Sequence, residues 1–553
     1  MIKDYLKDLI LHHFGHKPTN DQEKVIDSLC QFILTPDADS VFILRGFAGT
    51  GKTSLVSALV KTMEQLEREC VLMAPTGRAA KVFSFYADHP AFTIHKRIYR
   101  QKSIDKDSIF TLNFNMRQNL LFICDEASMI ANEAPLLSSQ GGMSYGTGRL
   151  LDDLVHFVYG GKGCRLILMG DTAQLPPVGD DESPALNDEY MGGYGFHVIS
   201  HTLTEVVRQT DSSGILWNAT HLRTLLENED IFAFPKILFK GFPDVKNISG
   251  NELIEILEEC YQRDGEDETI VVTRSNKRAN LYNNGIRSRI LWREEALEGG
   301  DMLMVAKNNY YWTEKYNQSL PSPSQEKTYH SLSQEKTYQS LSQEKTLPSP
   351  SLQGGRCISA NEGINGETDK QGNCLSPQGE TGKGSVMDFI ANGDTAIIKR
   401  VRNERHFYGF TFADATLEFP DFDNFQMELT VLTDTLQSEA PALTKEQQDT
   451  LYNNIMEDYA GDPTLRSKQD KLKALRQDPY YNALQIKYAY AVTCHKAQGG
   501  QWTNVFIDQG YITEDMLAPD YFRWLYTAIT RATTRVFFVN WPKEQVMEKM
   551  LEG

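Results

Sequence analysis

Nowhere in its 553 residues does the chain have an apolar run of the eighteen or so residues that a membrane span needs. Its start does not read as a secretory signal. Met1 to His16 mixes Lys3, Asp4, Lys7 and Asp8 with short apolar stretches, which predicts an amphipathic helix. The eight cysteines are scattered without a C-x-x-C pair, so metal-ligand spacing is absent and a disulfide framework is not expected. These absences point to a reducing cytoplasm. Positive charge is also short: 56 Lys and Arg against 74 Asp and Glu leave a net charge of −18. That excludes a basic coat for non-specific nucleic-acid binding, though not a narrow basic channel on an acidic body. Clustered metal-binding carboxylates of the nuclease kind are missing as well. What remains is ordinary for a globular chain, 41% hydrophobic and 24% charged. The length suffices for about three or four domains.

Against that background one segment stands out. Gly46 to Thr53 reads Gly-Phe-Ala-Gly-Thr-Gly-Lys-Thr and follows the apolar run Val41-Phe-Ile-Leu. Strand, glycine-rich loop and helix are in the order that the phosphate-binding spacing G-x-x-x-x-G-K-[ST] demands. Gly46, Gly49, Thr50 and Gly51 shape a loop whose backbone N–H groups curl around phosphates. Lys52 would reach the β- and γ-phosphates and the Thr53 hydroxyl would hold Mg²⁺. The helix starting near Lys52 points its positive dipole end at the same anion. The chain is therefore expected to bind a nucleoside triphosphate.

Further strands end in polar loops. Asp125-Glu126-Ala127-Ser128 follows the strand Leu121 to Cys124. Asp125 can hold Mg²⁺ directly or through water, while Glu126 activates the attacking water. Paired acids at a strand end also arise as helix caps. Gly170-Asp-Thr-Ala-Gln-Leu-Pro-Pro ends the next strand, where Gln174 can sense the γ-phosphate, although alone the segment is equally a proline turn. Two arginines, Arg208 in Leu203-Thr-Glu-Val-Val-Arg-Gln and Arg531 in Tyr526-Thr-Ala-Ile-Thr-Arg, have the fork that stabilises charge spread over a departing γ-phosphate. A second set of apolar strands, at Thr269, Val505 and Arg535, predicts a second α/β lobe.

The stretch from about 317 to 385 is different. Ser-Gln-Glu-Lys-Thr occurs three times with a period of nine, from Ser324, Ser333 and Ser342, amid Pro, Ser, Gly, Gln and Asn. So few large apolar residues cannot offset ordering entropy, and three copies without a hydrophobic position do not make a solenoid. A disordered loop is expected, with a partner-binding tether as the alternative. Its flanks, Gly300 to Val305, Asn392 to Lys399 and 405 to 433, alternate like strands of a small β-domain.

Taken in order, these motifs resemble the superfamily 1 DNA helicases, RecD-like branch, over about residues 18 to 310 and 484 to 540. Gln22, in Pro18-Thr-Asn-Asp-Gln, matches the glutamine that reads adenine in that family. Ala74 to Lys81, with Pro75, Thr76, Arg78 and Lys81, matches a motif that touches single-stranded DNA. Thr93 and His95, in Thr93-Ile-His-Lys, match another such motif. Asp125-Glu126, the 170 to 177 stretch and Arg208 match the next three. Ala491 to Gly499 resembles the motif that couples ATP to the strand, with Thr493, His495 and Lys496 toward DNA and Gly499 toward the nucleotide. Arg531 sits where the family keeps its second catalytic arginine.

The resemblance implies an α/β fold of two RecA-like P-loop NTPase lobes with ATP and Mg²⁺ between them. The first lobe would span 1–210, and the second 211–306 with 484–553. An SH3-like β-domain would be inserted at 307–483. A β-hairpin wedge would fall at about 95–118, where six basic residues meet only two acidic ones. Phe110 or Phe114 is a candidate for stacking on the last base pair, with hairpin packing as the alternative. The implied activity is an ATP-dependent DNA helicase moving 5′ to 3′ on single-stranded DNA and opening tailed or forked duplexes in replication, repair or recombination. Little sequence precedes the Gln22 motif, which suggests a compact, free-standing and monomeric motor. A translocase that remodels protein–DNA complexes, a small-molecule P-loop kinase and a recruitment subunit acting through the repeat loop remain the alternatives.

Overall fold

The computed structural model describes residues 2–35, 39–101, 110–132, 146–206, 213–319, 387 and 389–548. Arg208, residues 102–109 of the expected wedge and the repeat segment from 320 to 386 lie outside the described residues. Contacts divide the chain into two units, Met1–Asn309 with Ile390–Gly553, and Tyr310–Phe389.

After the helices Ile2–Phe14 and Asn20–Leu34, the first unit has the strands β1 (Ser40–Gly46), β2 (Cys70–Ala74), β3 (Ala91–Thr93), β4 (Tyr99–Gln101), β5 (Phe110–Leu112), β6 (Leu121–Cys124), β7 (Arg165–Gly170) and β8 (His197–Leu203). All but β4 and β5 form one parallel sheet in the order β3-β2-β6-β7-β1-β8. Val41 to Leu44 are fully buried, which is why β1 reads as a continuous apolar run and not an alternating one. After β1 the chain passes over β7 and β6 to reach β2, so a crevice opens at the carboxyl end of β1 where such sheets bind ligands. β4 and β5 pair as a separate antiparallel hairpin.

Next come β9 (Ile237–Leu238), β10 (Val245–Ile248), β11 (Thr269–Thr273) and β12 (Met302–Val305), and then β13 (Thr395–Phe407), β14 (Phe410–Phe419) and β15 (Phe425–Leu432). The chain ends with β16 (Leu484–Tyr488), β17 (Ala491–Thr493), β18 (Trp502–Asp508), β19 (Ala532–Val539) and β20 (Val546–Met547). A second parallel sheet runs β10-β19-β18-β11-β17, and β9 pairs with β20. β12 to β16 close into a five-stranded barrel, on which the helices Lys445–Ala460 and Lys468–Arg476 pack through Leu451, Ile455 and Leu475.

The apolar core of the second sheet, around Phe522, Leu525 and Phe538, also takes in Phe47 and Leu175 from loops of the first. The two lobes therefore share buried surface at the crevice. In the Tyr310–Phe389 unit the described residues include the helix Tyr311–Ser319, and Tyr310 stacks on Phe389 at 4.6 Å between ring centroids. No helix among the described residues is long and apolar enough to cross a membrane.

Candidate active site

β1 runs into the loop at Gly46–Gly51, where Gly49 and Gly51 take φ of +79° and +83°. A side chain resists those left-handed values, and Gly51 is the N-cap of the helix Lys52–Gln65. Lys52 folds back over the loop. Its Nζ donates to the carbonyl oxygen of Gly46 and, at 3.2 Å, to that of Phe47. Neutral carbonyls hold this ammonium in a place that charged phosphate oxygens can take over. Thr53 stands on the first turn of the same helix. Gln22 is buried, and its amide nitrogen donates to the Thr50 carbonyl at 3.0 Å while its amide oxygen accepts the Thr19 N–H at 3.0 Å. Both ends of that amide are thus engaged by backbone, and one of them belongs to the phosphate loop.

Asp125 follows β6 directly and accepts the N–H of Glu126 at 2.8 Å. Burial pushes its carboxyl up to about 7, helped by the Glu126 charge and opposed by Lys52. Glu126 has φ +51°. A non-glycine residue keeps such a conformation only where its surroundings over-determine it, as they do at functional sites. Its carboxylate lies 4.0 Å from the guanidinium of Arg531, which comes from the other lobe. Arg531 is 4% exposed, and it donates to the carbonyls of Thr527 and Gly500 and to the Thr530 hydroxyl. The acid pair and the arginine come from opposite ends of the chain and face each other across the crevice.

Gln174 lies buried after β7, and its side-chain oxygen has no hydrogen-bond partner among the described residues. The second lobe grips the loop that bears it. The Leu175 N–H donates to Thr527 Oγ1 at 2.9 Å, and the Leu175 carbonyl accepts Gln498 Nε2 at 2.8 Å. Sequence reasoning missed Thr527 and Gln498 as site residues. Their position inside motifs already singled out, beside Arg531 and Gly499, was the available signal.

The candidate DNA residues gather at the carboxyl ends of paired strands. Register sets Ala74 beside Thr93 on β2 and β3, and Thr273 beside Thr493 on β11 and β17. Pro75 and Thr76 follow β2, and Thr76 caps the helix Gly77–Ala87 by accepting the Ala79 N–H at 3.2 Å. Thr93 caps the helix Ile94–Ile98 in the same way through Lys96. Burial pushes the His95 imidazole down to about 4, so it is neutral at pH 7.

Contacts with the rest of the unit engage both cations of the 77–87 helix. Arg78 lies 4.0 Å over the Trp502 ring and donates to the Gln501 carbonyl at 3.2 Å. Lys81 pairs with the barrel residue Asp421 at 3.0 Å. Gly499 abuts Ala79. His495 is exposed, whereas the Lys496 Nζ is buried without a hydrogen-bond partner among the described residues, and that burial lowers the Lys496 pKa. Phe110 opens β5, opposite Gln101. Phe114 lies beyond the end of β5, 72% exposed, with the Arg100 guanidinium 5.2 Å above its ring.

Comparison with known proteins adds three findings. The AAA domain family AAA_19 matches residues 33–180, and the UvrD-like helicase C-terminal domain matches residues 488–539. An uncharacterized protein of Acanthamoeba polyphaga mimivirus is 24% identical over 573 residues, 94% of this chain and 99% of its own length. The ATP-dependent RecD2 DNA helicase of Deinococcus radiodurans is 29% identical over 161 residues, 29% of this chain and 18% of that protein. Among solved structures, the Pif1 helicase from Bacteroides in complex with ADP-AlF3 and ssDNA aligns over 97% of this chain and 95% of its own, at 14% identity and a TM-score of 0.40. That last likeness is too loose to build on.

Proposed function

We propose, from the premise that this chain belongs with the superfamily 1 helicases of the RecD type, that it hydrolyses ATP to move 5′ to 3′ along single-stranded DNA and open duplex ahead of it. One observation supports this most strongly. Glu126 on one lobe, next to Asp125, lies 4.0 Å from Arg531 on the other, over the same crevice that holds the phosphate loop. A small-molecule kinase has no need of an arginine delivered by a second lobe. A motor does, because hydrolysis must depend on whether the lobes are closed.

In this reading the loop N–H groups and Lys52 bind the phosphates, with Lys52 exchanging its two carbonyl partners for them. The hydroxyl of Thr53 and the carboxylate of Asp125 are hard oxygen donors beside that anion cradle, a set that suits Mg²⁺. The ion supplies charge neutralisation on the phosphates. Glu126 orients and deprotonates the attacking water, Gln174 senses the γ-phosphate, and Arg531 and Arg208 stabilise charge on the phosphoryl group as it transfers. Gln22 keeps one N–H and one oxygen lone pair free of its backbone bonds, enough to read the adenine edge while still bound to the loop through Thr50.

The strand passes over the ends of β2, β3 and β17, contacting Pro75, Thr76, Arg78, Lys81, Thr93, His95, Thr493, His495 and Lys496. The five-stranded barrel stands as the SH3-like insert and the β4–β5 hairpin as the wedge. Direction rests on the family resemblance alone. The test is ATP hydrolysis with and without single-stranded DNA, in the natural chain and in Lys52→Ala. Stimulation by DNA that the variant loses supports the reading. Hydrolysis indifferent to DNA overturns it in favour of a small-molecule enzyme.

A further inference from the structure

The entry of the phosphate loop is held from the second lobe. The Arg223 guanidinium, on the helix Gly214–Glu227, lies 4.3 Å over the Phe47 ring. A Cβ placed on Gly49 would come within 3.1 Å of Leu216 on that same helix. Between these two loop residues, the Ala48 N–H donates at 3.0 Å to the hydroxyl oxygen of Tyr526, a residue 478 positions further along. That hydroxyl in turn donates its proton to the Asp171 carboxylate at 2.6 Å. Asp171 is 1% exposed, heads the loop that bears Gln174 and also accepts the Ala173 N–H at 2.9 Å. One buried hydroxyl, itself 1% exposed, therefore joins the phosphate loop, the Asp171–Pro177 loop and the helix Pro519–Ile529. Two residues beyond the end of that helix stands Arg531.

We infer that Tyr526 is a positioning residue, an interlobe latch whose hydroxyl sets the phosphate loop, Asp171 and Arg531 in register when the lobes close. This rests on the proposed ATP-driven motor and names a part of it. The hydroxyl is used at both ends, accepting from Ala48 and donating to Asp171, so neither bond survives its loss. A buried ring alone would fill the same space without either bond. Thr527, next in sequence, repeats the pattern by accepting the Leu175 N–H, so consecutive residues of one helix grip the loop at both ends.

The test is Tyr526→Phe, which keeps the ring and removes the hydroxyl. A fluorescent ADP analogue reads nucleotide affinity without DNA, and steady-state hydrolysis reads kcat and KM with saturating single-stranded DNA. Loss of a coupling contact predicts a DNA-stimulated kcat lower by about tenfold, within the 5- to 150-fold range of such couplings, with analogue affinity changed less than about twofold. Asp171→Asn alone and combined with Tyr526→Phe completes a cycle. A shared latch makes the double variant no slower than the slower single one, whereas independent roles make the losses multiply. Unchanged kcat in Tyr526→Phe, multiplying losses in the cycle, or a fall in analogue affinity that matches the fall in kcat overturns the latch. If the natural chain itself shows no DNA-stimulated hydrolysis, the motor reading fails first, and that outcome is distinct from failure of the latch alone.

Discussion

In the proposed motor, Arg531 and Glu126 would make hydrolysis conditional on how the two lobes meet. Neither lobe has both, so the transferring phosphoryl group would meet Arg531 only when the crevice is closed. Replacing Arg531 by Ala is expected to lower DNA-stimulated kcat by about a thousandfold, as removal of such an arginine does elsewhere. Nucleotide binding should change little, and equal losses in kcat and affinity would contradict the role. Glu126→Gln should cost a factor of about 10² to 10⁴ in kcat, the range for a positioned base. Another acid, the buried Asp394, acts on stability. One of its oxygens accepts the Ala391 N–H, and the other has no hydrogen-bond partner among the described residues and would sit 2.5 Å from a Cβ on Gly77. Burial, with the Asp421 charge adding to it, raises this carboxyl from 3.8 to about 8. The folded chain therefore keeps a proton there that the unfolded chain has released, so the stability contribution is full below about pH 4 and is lost as pH rises to about 8. Asp394→Asn should raise the denaturation midpoint by a margin that grows from pH 5 to pH 8. A margin independent of pH would contradict the assignment. Lys52, Asp125 and Glu126 were legible in the sequence because each stands next to a buried apolar run that fixes where it lies. Asp394 was not, since its environment is made by a helix of the first lobe, far earlier in the chain.

At the scale of elements, the helix Gly77–Ala87 presents its cations to the protein itself. Lys81 is half exposed and bonded to Asp421 of the barrel, a carboxylate standing where a phosphate oxygen can. An exposed pair of this kind is worth about 1 kcal/mol at most, so a DNA strand passing here as proposed would displace it readily. Asp421→Ala should tighten single-stranded DNA binding a few-fold at low salt. Lys81→Ala should weaken it and reduce the slope of log affinity against log salt by about one. If binding ignores both changes across a salt titration, the strand does not run over this helix. The parallel strands were readable from sequence because a strand buried on both faces is apolar at every position, as at Val41 to Leu44 and Ile270 to Val272. Closure of β12 to β16 into a barrel was not, because β16 pairs with β12 across the whole length of the insertion, and alternation in single strands says nothing of which edges meet. The hairpin shows the same limit: β4 and β5 pair within the stretch expected, yet β5 ends at Leu112 and leaves Phe114 outside it.

For the whole molecule, the segment 320–386 interrupts a unit whose chain resumes at Ile390, and its composition offers little apolar surface to bury. Deleting 320–386 should leave DNA-stimulated hydrolysis within about twofold, because none of the motifs that carry the proposed chemistry falls within it. Loss of hydrolysis on deletion would make the segment part of the motor. Each lobe has its own sheet, while Phe47 and Leu175 of the first lie in the core of the second, so any opening of the crevice would expose that apolar surface. Such an opening is what a nucleotide can bias. Motif order made the two lobes legible, because the phosphate loop, Asp125-Glu126 and the 170–177 stretch each follow a strand. The contacts that join the lobes, from Tyr526, Thr527 and Gln498, appear only once the chain is folded. The central claim is that hydrolysis drives this chain 5′ to 3′ along one strand. Its most direct test is ATP-driven strand separation on two duplexes that differ only in whether the single-stranded tail is 5′ or 3′. Separation of the 5′-tailed duplex alone, abolished by Lys52→Ala, is the result predicted; separation of the 3′-tailed duplex alone, or separation that survives Lys52→Ala, would contradict it.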